Sequence, residues 1–99
     1  MFQLSEEQKR FFDTFGYLVL KRLFVDDAKK ISTAFDQTVE KYSSELVEWQ
    51  HRAHHNQRRR FLTQFIDRDE YLSSLLDDER ILGIYKGLLG DDFIYRGSD

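Results

Sequence analysis

Residues 4–20 read LSEEQKRFFDTFGYLVL, and they predict a helix that is followed at once by a strand. Ser5 is the expected N-cap, and Gln8 stands three residues later, as a capping box requires. Gly16 is expected to end the helix, because glycine takes the left-handed conformation without a steric penalty. The short apolar run Tyr17–Leu20 is typical of a strand that is buried on both faces.

Helical patterns dominate the rest of the chain. Apolar residues at three- and four-residue steps predict an amphipathic helix that is capped by Asp26 or Asp27 and reaches Tyr42. Glu45–Gln50 is interpreted as a helix that extends or restarts, and residues 51–60 as an exposed helix end or loop. The remaining expected elements are an extended stretch at Phe61–Ile66, short helices capped by Asp67 or Asp69 and by Asp77 or Asp78, an end at Gly90, and a second strand at Phe93–Arg96. The predicted fold class is α+β, mostly helical, with two or three short strands.

Composition limits the class of protein. Ninety-nine residues allow one small domain, 1–99, and 15% aromatic residues argue against disorder. The absence of cysteine excludes a disulfide framework and a thiolate nucleophile. Fifteen basic against 18 acidic residues give a net charge of −3, so a nucleic-acid partner is not expected. No stretch resembles a membrane span or a secretory signal, which predicts a soluble, cytoplasmic chain.

Three histidines form the one cluster with metal-ligand spacing. His51, His54 and His55 stand at i, i+3 and i+4, so on a helix they would share one face, where imidazoles can bind zinc or copper. The sequence has no cysteine that could complete the site with a thiolate, and four arginines would repel a cation: Arg52, Arg58, Arg59 and Arg60. A solvated polar face is the preferred interpretation, and the role of the three histidines stays open.

The other chemical patterns have structural explanations. The run Arg58–Arg60 could bind phosphate, but a solvated surface or an internal ion pair is preferred. The acidic pairs suit helix caps and a turn better than catalysis: Asp26-Asp27, Asp77-Asp78 and Asp91-Asp92. Six aromatic residues are interpreted as ordinary core rather than a ligand pocket: Phe11, Phe12, Phe15, Tyr17, Phe24 and Phe35. No residue is therefore assigned a catalytic, cofactor-binding or metal-binding role.

The order of elements resembles the N-terminal region of the phytanoyl-CoA dioxygenase family. The resemblance begins with the capped helix that runs into Phe15–Leu20, followed by Leu23-Phe24 and by Ala34-Phe35-Asp36 in the second helix. Later matching pieces are Phe65-Ile66-Asp67-Arg68, Leu75-Leu76, Ile81-Leu82, Leu89–Phe93 and Tyr95–Asp99. It spans Leu4 to Asp99 and is weakest over residues 43–60.

The resemblance implies hydroxylation of a small-molecule substrate with Fe(II), 2-oxoglutarate and O₂. It also implies a cupin-like, double-stranded β-helix whose larger sheet is braced by N-terminal helices. In that family iron is held by an H-x-D motif and a distant second histidine, and an arginine beyond them holds 2-oxoglutarate. This sequence contains no H-x-D, so none of those roles is carried over. The chain is expected to be the N-terminal part of such an enzyme, inactive alone and completed by the remainder of its own catalytic domain.

A second hypothesis belongs to another class of protein. The chain would then be a small helical interaction module without enzymatic activity. Its partner-binding surfaces would be the apolar faces formed by Phe11, Phe12 and Phe15 and by Ile81, Tyr85 and Leu88.

Overall fold

The computed structural model describes residues 2–50 and 58–99, which divide into two compact units. The first unit comprises Met1–Ala28 and Ser74–Tyr95, and the second comprises Lys29–Ser73 and Arg96–Asp99. In the described ranges the helices are α1 (Glu6–Phe15), α2 (Ala28–Lys41), α3 (Glu70–Ser74) and α4 (Glu79–Leu89), the strands are β1 (Val47–Gln50) and β2 (Arg58–Phe61), and 3₁₀ turns lie at Ser43–Glu45, Phe65–Arg68 and Leu75–Asp77.

The first helix begins and ends as its sequence predicts. Ser5 Oγ accepts a hydrogen bond from the Gln8 backbone N–H at 3.1 Å, and Gln8 Oε1 accepts one from the Ser5 N–H at 2.9 Å. This reciprocal pair satisfies two donors that a helix start leaves without an intrahelical partner. Gly16 has a φ of 76°, and its N–H donates to the Phe12 carbonyl. The predicted capping box and the predicted glycine end are both confirmed.

The last helix, α4, contacts α1 within the first unit. Asp78 caps it, because its carboxylate accepts from the Arg80 backbone N–H at 2.9 Å. Gly90 has a φ of 85° and donates its N–H to the Lys86 carbonyl at 3.0 Å. Of the two predicted caps, the structure therefore selects Asp78, and the predicted end at Gly90 is confirmed.

The two predicted strands of this part of the chain are absent. Tyr17–Leu20 belongs to neither a helix nor a strand, and Val19 is 64% exposed, so the prediction of a strand buried on both faces is wrong. Phe93–Arg96 is not a strand either, and Ile94 is 87% exposed. A strand needs a neighbour to exchange backbone hydrogen bonds. The residues that the structure describes supply no such neighbour to either segment.

The second unit contains a hairpin that the helix and loop predictions missed. β1 and β2 pair antiparallel, with Val47 opposite Phe61 and Glu48 opposite Arg60. Residues 47–50 alternate apolar and polar side chains, which is the period of a half-buried strand, so the helix expected over Glu45–Gln50 is wrong. Residues 58–60, expected as helix end or loop, lie in β2, and residues 51–57 fall outside the described ranges.

The core of the second unit is small. Ala34 and Thr38 of α2 are buried, together with Leu62 and Leu72. Thr38 satisfies its buried hydroxyl by donating to the Ala34 carbonyl at 2.7 Å, one helical turn earlier. The amphipathic face predicted for α2 therefore supplies part of this core.

Two further predictions concern the segment that leads into α3. Asp69 caps α3, because its carboxylate accepts from the Leu72 N–H at 2.9 Å, and this selects it over Asp67. The extended stretch expected at Phe61–Ile66 is wrong beyond Phe61, since a 3₁₀ turn begins at Phe65. The Phe65 ring meets the Phe35 ring edge to face, with centroids 5.5 Å apart.

Candidate functional site

An aromatic stripe runs along α1 in the first unit. Glu7, Phe11 and Phe15 stand at four-residue steps, which places them on one face of the helix. The rings of Phe11 and Phe15 lie 4.7 Å apart, and Gly16 then turns the chain so that Tyr17 meets Phe11 edge to face at 5.3 Å. Two ring planes at 86° therefore form an open corner.

This corner belongs to a surface groove with a volume of about 350 Å³. We name it the aromatic groove, and its lining residues are Glu7, Gln8, Phe11, Tyr17, Leu18 and Val19. Phe11 is 37% exposed and Tyr17 is 58% exposed. The interpretation of the aromatic residues as ordinary core is thus wrong for these two, and also for Phe15 and Phe35, which are exposed.

The charge of the aromatic groove comes from one carboxylate. Glu7 is the single charged residue among the six that line it. Its neighbour Glu6 is paired with Lys9 at 3.2 Å, whereas the Glu7 carboxylate has no ion pair or hydrogen bond among the described residues. The groove therefore combines exposed ring faces with an unpaired negative charge.

A second cluster is centred on Arg80, which the sequence analysis did not single out. Its Nε and Nη2 donate to the two carboxylate oxygens of Asp78 at 2.9 and 2.7 Å. Its Nη1 donates to Asp27 Oδ2 at 2.7 Å and to the Leu23 carbonyl at 3.1 Å. The guanidinium also lies 4.3 Å from the centre of the Phe24 ring. Arg80 thus ties the turn before α2 to the start of α4.

Electrostatics within this cluster follow from those contacts. The side-chain hydrogen bonds from Arg80 are the main cause that lowers the pKa of Asp78 to about 2, and the N–H groups of Arg80 and Ile81 add to it. Hydrogen bonds to Asp78 and then to Asp27 raise the pKa of Arg80 further above its ordinary range. The Nε, Nη1 and Nη2 groups of Arg80 all donate to atoms of the protein itself, namely to Asp78, Asp27 and the Leu23 carbonyl. We therefore assign this cluster a structural role rather than a ligand-binding one.

We expect the ion pair between Asp78 and Arg80 to make stability depend on pH. Because the folded-state pKa of Asp78 lies below its unfolded value, the stabilisation is present above about pH 4 and is lost as the pH falls towards 2. Asp78→Asn should lower the melting temperature at pH 7 and flatten its decline between about pH 4 and pH 2. Thermal unfolding followed by circular dichroism checks both. Asp77→Asn is the matched control, and equal slopes for the two variants would contradict the assignment.

The residues that the sequence analysis considered for chemistry are dispersed. His51, His54 and His55 lie outside the described residues. The run Arg58–Arg60 lies in β2, where Arg60 is exposed. The acidic pairs have the following places: Asp26 and Asp27 in the turn before α2, Asp77 and Asp78 at the start of α4, and Asp91 and Asp92 exposed after it.

Neither a metal centre nor a membrane span is found in the described ranges. Among residues 2–50 and 58–99, no three histidine, cysteine or acidic side chains come together as metal ligands. Within the same ranges, no helix has the length and apolar character to cross a membrane.

Comparison with known proteins finds no family model, no curated protein and no solved structure that matches this chain.

Proposed function

We propose that this chain is the N-terminal scaffolding part of a phytanoyl-CoA dioxygenase-like hydroxylase that depends on Fe(II) and 2-oxoglutarate and works in the cytoplasm. The order of elements supports the proposal, since the capped helix, the apolar run Tyr17–Leu20 and an amphipathic helix follow one another as in that family. Its partner is the remainder of its own catalytic domain, which also binds the small-molecule substrate.

The observation that carries the proposal is the state of two segments, Tyr17–Leu20 and Phe93–Arg96. The resemblance implies a strand at Tyr17–Leu20, and the residue pattern predicts one at Phe93–Arg96. Both segments nevertheless lie outside any sheet, and their backbone groups make no hydrogen bond among the described residues. Four of their apolar and aromatic side chains are exposed and three are half-buried: the exposed ones are Tyr17, Val19, Ile94 and Tyr95, and the half-buried ones are Leu18, Leu20 and Phe93. Covering one such large side chain contributes about 1.5–3 kcal/mol. Two apolar segments with free backbone groups suit strands that a larger sheet completes.

The residues of this chain do not fit the iron that the resemblance implies. A 2-His-1-carboxylate site needs three side chains that converge from separate elements. The described residues bring no such group together, and the sequence has no H-x-D. No step of hydroxylation is therefore assigned to this chain, and its role in the proposal is to brace the sheet that carries the iron.

The gene beyond Asp99 provides the first test. We expect the chain to continue into strand-rich sequence with an H-x-D motif, then a distant histidine and then an arginine. When this continuation is expressed together with residues 1–99, the amides of Tyr17–Leu20 and Phe93–Arg96 should become protected from hydrogen exchange. The amides of α1 serve as the internal control, because they are hydrogen-bonded in both forms.

Two outcomes would contradict the proposal. One is a continuation that lacks H-x-D, or a stop codon directly after Asp99. The other is a joined, active protein in which both segments still exchange as fast as in residues 1–99 alone. The first result favours the non-enzymatic interaction module, and the second rejects the bracing role proposed for the two segments. The exposed rings of Phe11 and Tyr17 favour that second function, because exposed aromatic surface is typical of binding sites.

A further inference from the structure

The aromatic groove has the chemistry of a cation site. The rings of Phe11 and Tyr17 meet edge to face at 86° with centroids 5.3 Å apart, and both rings are exposed. Aromatic faces attract guanidinium and ammonium groups through the ring quadrupole. Glu7 lies one helical turn before Phe11 on the same face, so its free carboxylate lines the same groove. A negative charge beside two rings complements a positive side chain.

The backbone next to the rings indicates how that side chain arrives. Tyr17, Leu18 and Val19 line the groove, and the backbone of Tyr17–Leu20 makes no hydrogen bond among the described residues. An extended segment laid along such an edge gains main-chain hydrogen bonds, and its alternate side chains enter the adjoining groove. A strand that pairs with Tyr17–Leu20 would therefore direct every second side chain towards Phe11 and Glu7.

We propose that the aromatic groove holds an arginine side chain carried by the strand that pairs with Tyr17–Leu20. The inference rests on the proposed function for the source of that strand, which is the catalytic domain that follows this chain. Arginine suits the corner better than lysine does, because its planar guanidinium stacks on rings, sheds water more readily and can bind a carboxylate through two donors. Glu7 neutralises the arginine, and the rings of Phe11 and Tyr17 cover it.

Capped peptides of sequence Thr-Val-Arg-Val-Thr test the groove directly on the 99-residue chain. The matched probe replaces arginine with citrulline, which keeps the shape and removes the charge. We expect the arginine peptide to bind about 3- to 10-fold more tightly, as an exposed cation–π contact with one ion pair allows. Calorimetry measures the affinities, and shifts of the Phe11 and Tyr17 ring resonances locate the binding.

Two variants distinguish a specific contact with the Glu7 carboxylate from a non-specific effect of the net charge of the chain. Glu7→Gln should reduce the preference for arginine over citrulline by about 2- to 5-fold, which is the share of an exposed ion pair. Glu6→Gln removes the same charge one residue away, but Glu6 is paired with Lys9 and does not line the groove, so it should keep the preference. Circular dichroism confirms that both variants retain their helices.

The inference is overturned if neither peptide binds, if both bind equally, or if Glu7→Gln and Glu6→Gln have the same effect. These results are independent of the enzyme assignment, because they are measured on residues 1–99 alone. If the arginine preference depends on Glu7 but the gene lacks H-x-D, the arginine site is supported and the hydroxylase assignment is rejected. If the gene encodes a hydroxylase but residues 1–99 show no preference for the arginine peptide, the hydroxylase assignment is supported and the arginine site is rejected.

Discussion

Leu72→Ala is expected to lower the free energy of unfolding by about 2–5 kcal/mol, the range for a leucine truncated in a well-packed core. Leu72 is 2% exposed, and it is the most completely buried large side chain among the described residues. The core around it is small, since the other buried residues in the described part of the second unit are Ala34, Thr38 and Leu62. A small core has few neighbours that can move into the space left by the lost methyl groups.

The loss expected for Leu72→Ala is a large fraction of the total free energy of unfolding. A domain of this length has about 5–15 kcal/mol in total, so the variant is expected to lie close to unfolding at room temperature. Urea unfolding of both proteins measures the difference. Leu89→Ala deletes the same atoms from a side chain that is 60% exposed, and it should change stability by about 0.5 kcal/mol or less. Equal losses in the two variants would show that Leu72 is not a core residue.

The helix ends were predictable from sequence because their interactions are local. Ser5 with Gln8, Asp69 with Leu72, and Asp78 with Arg80 are joined by hydrogen bonds that span two or three residues. Such bonds depend on residue type and spacing alone. Where the sequence offered two candidate caps in succession, the choice depended on where the helix starts, and this is set by packing that the pattern does not contain.

The strands were not predictable in the same way because they depend on partners far along the chain. Tyr17–Leu20 has the composition of a strand, but composition cannot supply the neighbour that a sheet needs. Val47–Gln50 has a partner at Arg58–Phe61, and the helix predicted around Leu46, Val47 and Trp49 takes no account of the alternation of apolar and polar residues in this strand. Period-two alternation is the signal that could have found this hairpin.

The Arg80 cluster and the aromatic groove also depend on packing that the spacing of residues in the sequence does not predict. Asp27 and Arg80 lie 53 positions apart, and no spacing rule connects them. The aromatic groove had a partial signal, since Glu7, Phe11 and Phe15 share a helix face, but whether that face is buried or open depends on what packs against it. The sequence predicts an apolar face of Phe11, Phe12 and Phe15 without Glu7, and it leaves open whether that face is core or a partner-binding surface.

Gly83→Ala is expected to destabilise the first unit although it improves the helix propensity of α4. Alanine in place of glycine favours a helix by about 1 kcal/mol. A Cβ at Gly83, however, would overlap the Phe2 carbonyl oxygen and would lie 2.9 Å from the carbonyl carbon. Backbone atoms cannot turn aside as a side chain can, so the N-terminal segment must move away and expose Phe2 and the buried Leu4. Uncovering each costs about 1.5–3 kcal/mol, so the loss for both, less the gain of about 1 kcal/mol in helix propensity, predicts a net loss of about 2–5 kcal/mol.

Gly87→Ala provides the matched control one helical turn later. The atoms nearest to its Cβ would belong to the side chain of Leu4, with Cδ1 at 3.0 Å, and that methyl group can shift. The two variants gain the same helix propensity, so the difference between their urea midpoints isolates the close approach of the Phe2 backbone. Removing residues 1–4 should reverse the sign for Gly83→Ala, because the obstacle is gone and the gain of about 1 kcal/mol remains. A destabilising effect that persists after this truncation would place the cause within α4 itself.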